Sequence, residues 1–323
     1  MEEVKRDIFY SLVNDFRWIP FTQTDAYCQS IVPDSTLHYF IDDSKNPQIG
    51  CVAFLKKKAG LTMLCIQGEC LKSETAVSRK QRTAFYSDIL RNDYDIYDIN
   101  LNTIYTEDEE IAMRRTGLLR PTGLFSTTLS KLISLSSPRE YDKSWRRNLR
   151  LAHNEGLTFS ITDSPTQAQI ANYAAKHAEL LRRKHFSGSL TAAGLTTLFS
   201  DNRFRLAIVC APDGTDLAEG IIYSSPENSN FLYSYTTVRG RELSASYMLY
   251  EGIFNALAAE GIEYFDMGRI SPAAHEKDKL FLFKDGVKGR YVKYLGEWEW
   301  CRHRWQSEML YFMKKYVWHR QQA

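Results

Sequence analysis

Ile262-Glu263-Tyr264-Phe265-Asp266-Met267-Gly268, then Phe281-Leu282-Phe283-Lys284, then Tyr291-Val292-Lys293-Tyr294-Leu295-Gly296-Glu297: the reading of these runs decides the fold. The first follows an amphipathic helical stretch, Ser244–Ala259, with Leu249, Ile253, Ala256 and Leu257 on one face. Gly261 stands where a helix wants a left-handed C-terminal residue. The run after it is a short strand, and a polar loop leads on to Phe281–Lys284. One cation, Lys284, is thereby expected inside an apolar patch at a sheet edge. It either stabilises negative charge there, or packs its stem on Phe281 and Phe283 with its head in water.

Working outward, the same order of elements occurs twice. Phe204–Ala211, Leu217–Tyr223 and Phe231–Val238 read as strands, punctuated by Pro212-Asp213-Gly214 and Ser225-Pro226-Glu227-Asn228. The helix and the strand Ile262–Met267 follow them. Earlier in the chain, Leu37–Asp42, Ile49–Leu55 and Leu61–Gln67 read as strands, Ser78–Leu90 as a helix and Tyr94–Ile99 as a returning strand. Each half is β-β-β-α-β. Between the halves, Pro138–Glu155 reads as helical, and Ser164-Pro165-Thr166-Gln167 as a helix start with serine as cap. The basic, aromatic stretch Arg304–Arg320 reads as a final helix docked on the body.

The bulk numbers agree with a soluble globular protein. The 323 residues allow two domains at ~150 residues each. Forty-one basic against 39 acidic residues leave a net charge of +2, so no global field selects a polyanion. No apolar run approaches the ~20 residues that span a bilayer, and the start of the chain lacks a signal-peptide core. The expected location is the cytoplasm. None of the six cysteines forms a CxxC pair, which argues against zinc and for buried reduced thiols. His177 lies on the apolar face of a helical stretch and reads as a core histidine.

Several segments resemble the Fem-type aminoacyltransferases that build peptidoglycan cross-bridges. Trp145-Arg146-Arg147-Asn148-Leu149-Arg150-Leu151-Ala152-His153-Asn154-Glu155-Gly156 is similar to the family's Arg-x-Asn-Ile-x-x-Ala stretch. Tyr264-Phe265-Asp266-Met267-Gly268 is similar to its Tyr-Asp-x-Gly-Gly, with Arg269 in place of the second glycine. Leu282-Phe283-Lys284-Asp285-Gly286-Val287 and Tyr294-Leu295-Gly296-Glu297 resemble its Phe-Lys-x-x-Phe and Tyr-x-Gly-Glu. Trp18-Ile19-Pro20-Phe21-Thr22-Gln23-Thr24-Asp25-Ala26-Tyr27 is a weaker match. The family's lysine after the aromatic residue is missing here, since Cys28-Gln29-Ser30 follow Tyr27.

The resemblance implies an α/β (α+β) fold of two tandem acetyltransferase-like (GNAT) modules. Each would be a mixed, mostly antiparallel sheet flanked by helices, at 1–137 and 138–323. It implies transfer of an aminoacyl group from aminoacyl-tRNA to an amine of a peptidoglycan or other cell-envelope precursor, without cofactor or metal. Peripheral proximity to a membrane is compatible with such an acceptor. The catalytic residues it points to are Lys284, Phe283 and Asp98. The substrate-binding candidates are Asp266, Arg269, Tyr235, Arg146 and Arg147.

Residue chemistry leaves alternatives open. Asp266 either orients an amine or bonds nearby amides. Asp98 alternates with Asp93 and Asp95, as on a solvated strand face. Arg146, Arg147, Arg150 and Lys143 make either a phosphate-contacting face or a solvated one. Arg182-Arg183-Lys184-His185 suits a helix C-terminus through the dipole alone. Tyr233 and Tyr235 either line a site or pack. The rival donor is acyl-CoA, whose diphosphate needs free amides at a glycine-rich turn; in Val238-Arg239-Gly240-Arg241-Glu242 the glycines are out of register and Glu242 repels. A silent binding module is the third reading.

Overall fold

The computed structural model describes residues 1–31, 36–58, 60–73, 77–121, 128–183, 190–225, 227, 229–270, 279–313 and 316. The chain forms two compact units, Met1–Thr128 with Lys293–Ala323, and Leu129–Val292. This differs from the expected 1–137 and 138–323. The strand over 128–134 was not foreseen, and the last 31 residues return to the first unit because Leu295 and Trp298 belong to its core.

In the first unit, β1 (Glu2–Val4), β2 (Leu37–Ile41), β3 (Ile49–Lys58), β4 (Leu61–Gln67) and β6 (Ile96–Ile104) lie side by side in that order, with β5 (Cys70–Leu71) on β3. The strands pair antiparallel up to β4, and β4 then pairs parallel with β6 over five residues, Met63↔Ile96 to Gln67↔Asn100. Helices α1 (Arg6–Val13), α2 (Asp25–Ile31), α3 (Arg79–Ile89) and α4 (Glu107–Arg115) complete the unit. Ser78 caps α3 in a reciprocal box with Gln81, which explains why the helix starts where the sequence reading put it. Its core gathers Trp18, Phe40, Ile66, Phe85, Tyr97 and Trp298.

Inside this core sits a buried ion cluster. Arg82 and Glu69 pair at 1% and 0% exposure. Tyr86 Oη and Thr103 Oγ1 donate to the two Glu69 oxygens at 2.7 and 2.6 Å. A buried charge is tolerable when it is paired and hydrogen-bonded in this way.

The second unit starts at β7 (Thr128–Ser134) and holds α5 (Lys143–Asn154), β8 (Thr158–Thr162), α6 (Gln167–Arg183) and α7 (Ala192–Leu198). The repeated series follows: β9 (Phe204–Cys210), β10 (Asp216–Tyr223), β11 (Asn230–Thr236), the short α8 (Val238–Glu242), α9 (Ala245–Ala259) and β12 (Tyr264–Asp266). Strand order is β7-β12-β11-β10-β9-β8. As in the first unit, three antiparallel strands are followed by a parallel pairing, β11 with β12. The core joins Ile133, Trp145, Ala207, Ile222, Leu249, Ile253, Phe254, Phe265 and Val287. Two helices close the described chain, α10 (Lys279–Asp285) and α11 (Arg304–Phe312), separated by β13 (Arg290–Cys301).

Four local expectations are corrected. Phe281–Lys284 is the second half of α10, not a strand-edge run. The cap of α6 is Thr166 rather than Ser164: Thr166 Oγ1 accepts from Gln169 N at 3.2 Å and the Gln169 side chain accepts from Thr166 N at 2.9 Å. The helix expected over 138–155 starts only at Lys143, because the Asp142 carboxylate caps Trp145 N at 2.6 Å. The strand expected at Tyr94–Ile99 runs from Ile96 to Ile104. Lys184, His185, Pro226, Asn228 and Trp318 lie outside the described residues.

Candidate active site

The parallel pair β11/β12 meets at one position, Asn230↔Asp266. Beyond it the chain leaves β11 and continues along β7, which β12 already pairs, with Met267 N bonded to Lys131 O (3.0 Å) and Ile270 N to Leu129 O (2.8 Å). Gly268, at φ +83°, allows the turn. Buried carbonyls need partners, and those of Gly268 and Arg269 find theirs in a side chain. Lys284 Nζ donates to Gly268 O at 2.9 Å and to Arg269 O at 2.7 Å. Lys284 is 6% exposed, so its head is not in water. The sequence alternative of a wet ammonium is therefore wrong; the cation is held at the divergence of two strands.

Asp266, on the last residue of β12, is buried. Its Oδ1 accepts from Gly268 N at 2.7 Å and from the Ser130 hydroxyl, and Oδ2 accepts from Asn230 Nδ2 at 3.4 Å. The reading of Asp266 as a residue that bonds nearby amides is thus realised, and the bonds hold the Gly268 turn in shape. Arg269 is exposed, and its backbone rather than its guanidinium meets Lys284.

Lys284 is presented by α10, and several carbonyls at its C-terminal end are bonded by other elements. Trp145 Nε1 donates to Phe283 O at 2.7 Å, Lys131 Nζ to Asp285 O at 3.0 Å, and Asp142 N to Gly286 O at 2.8 Å. Helix ends carry unsatisfied carbonyls, and here α5 and β7 supply the donors. Phe283 packs its ring against Trp145, Tyr247 and Tyr250 at 5.1, 5.0 and 5.1 Å between centroids. The expected apolar patch exists, built from α5 and α9. Gly286 lets Trp145 sit this close: a Cβ there would lie 2.4 Å from Trp145 Cδ1.

A second buried lysine was missed by the sequence reading. Lys131, 2% exposed, reaches Asp285 Oδ1 at 3.3 Å and lies 4.7 Å over the Tyr291 ring. The hydrogen bond from the Tyr291 hydroxyl, with help from Lys131, holds the Asp285 carboxyl below its ordinary range. Burial, with the Asp285 charge beside it, pushes Tyr291 up to about 12. The signal for Lys131 lay in Leu129-Ser130-Lys131-Leu132-Ile133-Ser134, where apolar and polar residues interleave too irregularly to advertise a strand.

On α5, Trp145, Leu149 and Ala152 face the core. Lys143, Arg146, Arg147 and Arg150 are exposed and share one face at i, i+3, i+4 and i+7 spacing. Among the described residues none of the four forms an ion pair. By contrast Arg182, at the end of α6, is paired with Glu179.

The segment before α9 is the place where an acyl-CoA diphosphate would need free amides. Here several of them are used internally. Gly240 N donates to Thr237 Oγ1, Arg241 N to Thr237 O, Leu243 N to Arg239 O and Ser244 N to Arg241 O, at 2.8, 3.1, 3.0 and 3.3 Å. A Cβ on Gly240 would sit 2.3 Å from Leu217 O, so this turn is pressed against β10 rather than opened to a ligand.

Tyr235 lies half-buried on β11, opposite Glu219 of β10. Glu219 is buried, bonded through one oxygen to Lys176, and burial raises its carboxyl to about 7 against the counter-pull of Lys176. His177 is the core histidine expected, stacked on Tyr173 and edge-on to Tyr233. Asp98 belongs to the first unit, on β6 between Cys65 and Glu299 in register.

The first unit also holds a cavity of about 470 Å³ lined by Thr22, Gln23, Tyr27, Phe54, Lys56 and Gln67. The segment that weakly resembles the family's N-terminal motif forms part of its wall. Gln23 is fully engaged there with Val52 and Gln67 backbone. No group of histidine, cysteine and carboxylate side chains among the described residues could hold a metal ion.

No family profile and no curated protein matches the sequence. Solved structures do match its fold. FemX superposes with a TM-score of 0.74 at 10% identity, covering 96% of this chain and 100% of that one. L-PGS from Bacillus licheniformis gives 0.64 at 12%, covering 97% of each chain. The C-terminal DUF2156 domain of an Agrobacterium fabrum protein described as a lysylphosphatidylglycerol synthetase gives 0.58 at 12%, covering 93% and 94%. The chain shares its fold with FemX and L-PGS, two units that each repeat one α/β series.

Proposed function

We propose that this chain is an aminoacyltransferase. It takes an aminoacyl group from aminoacyl-tRNA and passes it to an amine of a peptidoglycan or other cell-envelope precursor in the cytoplasm. The observation that carries this reading is the bare cationic face of α5, Lys143, Arg146, Arg147 and Arg150, in a unit whose diphosphate-type turn has several of its amides engaged internally. Uncompensated cations on one helix face suit a chain of phosphates, and the closed turn at 237–244 speaks against acyl-CoA.

In this mechanism Lys284 stands beside the ester carbonyl of the donor. Attack by the acceptor nitrogen forms the new C–N bond and puts negative charge on that oxygen. The ammonium stabilises the charge, and the C–O bond to the tRNA ribose then breaks. The leaving ribose oxygen takes up a proton as the nitrogen loses one. Phe283 and its aromatic neighbours keep the lysine stem in place, and Asp266 keeps the Gly268 turn in shape. Tyr235 and Arg269 are kept as candidates for donor contact. Asp98 enters through the resemblance alone. The cavity of the first unit is assigned to the acceptor, with Lys56 as its cation.

The test is a titration with charged tRNA, uncharged tRNA and acetyl-CoA at two salt concentrations. Salt-sensitive binding that prefers charged tRNA is expected. Saturable acetyl-CoA binding without tRNA binding would overturn the reading. Binding of neither would leave a silent module.

A further inference from the structure

Lys131 stands where an apolar residue would be expected. Ser130 and Ile133 beside it on β7 are fully buried, and Lys131 itself is 2% exposed. A buried ammonium is costly unless it is paired and hydrogen-bonded, so a lysine kept at this position calls for a task. Its bonds point to one.

Through its backbone, Lys131 O accepts from Met267 N at 3.0 Å. Met267 leads directly into Gly268 and Arg269, whose carbonyls accept from Lys284 Nζ at 2.9 and 2.7 Å. Through its side chain, Lys131 Nζ donates to Asp285 O at 3.0 Å, to Asp285 Oδ1 at 3.3 Å and to Tyr291 Oη at 3.5 Å. Asp285 follows Lys284 at the end of α10. One residue of β7 thus grips both sides of the Lys284 contact: the turn that offers the carbonyls and the helix end that carries the ammonium. Ser130 strengthens the turn side, since its hydroxyl donates to Asp266, which also accepts from Gly268 N.

We propose that Lys131 is a positioning residue for Lys284, fixing the end of α10 against the Gly268–Arg269 turn so that the Lys284 ammonium stays in one place. A catalytic group must be held to within about 0.5 Å by its supporting residues, and a misplacement of about 1 Å can cost roughly 10²-fold in rate. An ion pair that served stability alone could stand at the surface, because the Asp285 side chain is 49% exposed. Here the ammonium is buried instead, and its shortest bond goes to the Asp285 carbonyl rather than to the carboxylate. The consequence for rate rests on the aminoacyl-transfer reading; the grip on Lys284 does not.

Lys131→Met keeps the stem and removes the donors. In the full chain, discharge of bound aminoacyl-tRNA to an amine should slow by roughly 10²-fold with tRNA affinity unchanged, and Lys131→Arg should recover most of the rate. Added to Lys284→Met, Lys131→Met should slow the reaction no further, because the two residues act as a unit. Losses that multiply in the double variant would overturn the proposal. A second readout needs no activity: acylation of lysines by acetic anhydride at one pH, with mass spectrometry of the peptide that carries Lys284. Labelling of Lys284 should rise roughly tenfold or more in Lys131→Met through local opening, while Lys176, ion-paired on α6, keeps its parental labelling. Unchanged labelling of Lys284 would overturn the proposal, as would a rise shared by Lys176, which reports loosening of the whole unit. Asp285→Asn weakens the same tie from its exposed side and should show both effects to a smaller extent, so a Lys131→Met chain that fails to fold does not end the test. A parent chain without transfer activity would overturn the aminoacyl-transfer reading, and the labelling alone would then decide the role of Lys131.

Discussion

The two units build the same β-β-β-α-β series, yet their parallel strand pairs end differently. In the first unit β4 and β6 are zipped over five residues. In the second, among the described residues, β11 and β12 meet in register at the single position Asn230↔Asp266. Where the ladder is closed, backbone groups satisfy one another and the strand faces only have to pack. Where it opens, carbonyls are released, and the protein meets them with a charged side chain, Lys284. An opened ladder thus converts a sheet interior into a place where a cation is held. The buried charge of the first unit, Arg82–Glu69, does the opposite: it is enclosed by Tyr86 and Thr103 and serves the core.

The sharpest way to break this comparison is to disturb both charges. Arg82→Met leaves Glu69 buried without its partner and should cost about 3–5 kcal/mol of stability, read by urea unfolding. Lys284→Met keeps the stem and removes the charge. The rate at which bound aminoacyl-tRNA is discharged to an amine acceptor should fall by about 10²–10³, with tRNA affinity preserved. An unchanged rate would reduce Lys284 to a cap for Gly268 and Arg269.

A second buried carboxylate sharpens the contrast through pH. The Glu219 carboxyl is raised from its ordinary 4.5 to about 7 by burial in the second unit. The folded state therefore holds a proton that the unfolded chain has already released. This contribution to stability is complete below pH 4.5 and is lost as pH rises to about 7, an effect on the order of 3 kcal/mol. Glu219→Gln should flatten that slope in unfolding curves taken across this window. A slope that persists would assign it to other groups.

Smaller effects test how the open ladder is supported. Gly286→Ala forces a methyl toward Trp145 and should lower stability by about 1–3 kcal/mol, with a parallel loss of transfer activity if Trp145 positions α10. Arg146→Ala and Arg147→Ala should each reduce the salt dependence of tRNA binding by about one unit of log–log slope. Unchanged slopes would make the α5 face a solvated surface.

Much of this was readable in the chain itself. The repeated element series, the helix start at Ser78 and the C-terminal Gly261 at φ +81° all depend on local rules of capping, turns and periodicity. The three runs of the opening stretch led to Lys284 because a lysine among aromatic residues stands out in any sequence. Its environment was not readable. Phe281–Lys284 has the apolar content of a strand but folds as the end of a helix, because Trp145, Lys131 and Asp142, each from another element, supply donors to its last carbonyls. Lys131 escaped notice for the same reason, since its partners Asp285 and Tyr291 lie 154 and 160 residues away.

The sequence by itself determined most helices and strands of the repeated series, β7 and the Phe281–Lys284 helix end excepted, and that the series occurs twice, since those choices are made by neighbours within a few residues. Only the tertiary structure decided where the second ladder opens, which cation fills the opening and that Gly240 in the 237–244 turn is pressed against Leu217 of β10. These outcomes come from groups distant in sequence competing for the same hydrogen bonds, and that competition is settled only when the elements pack.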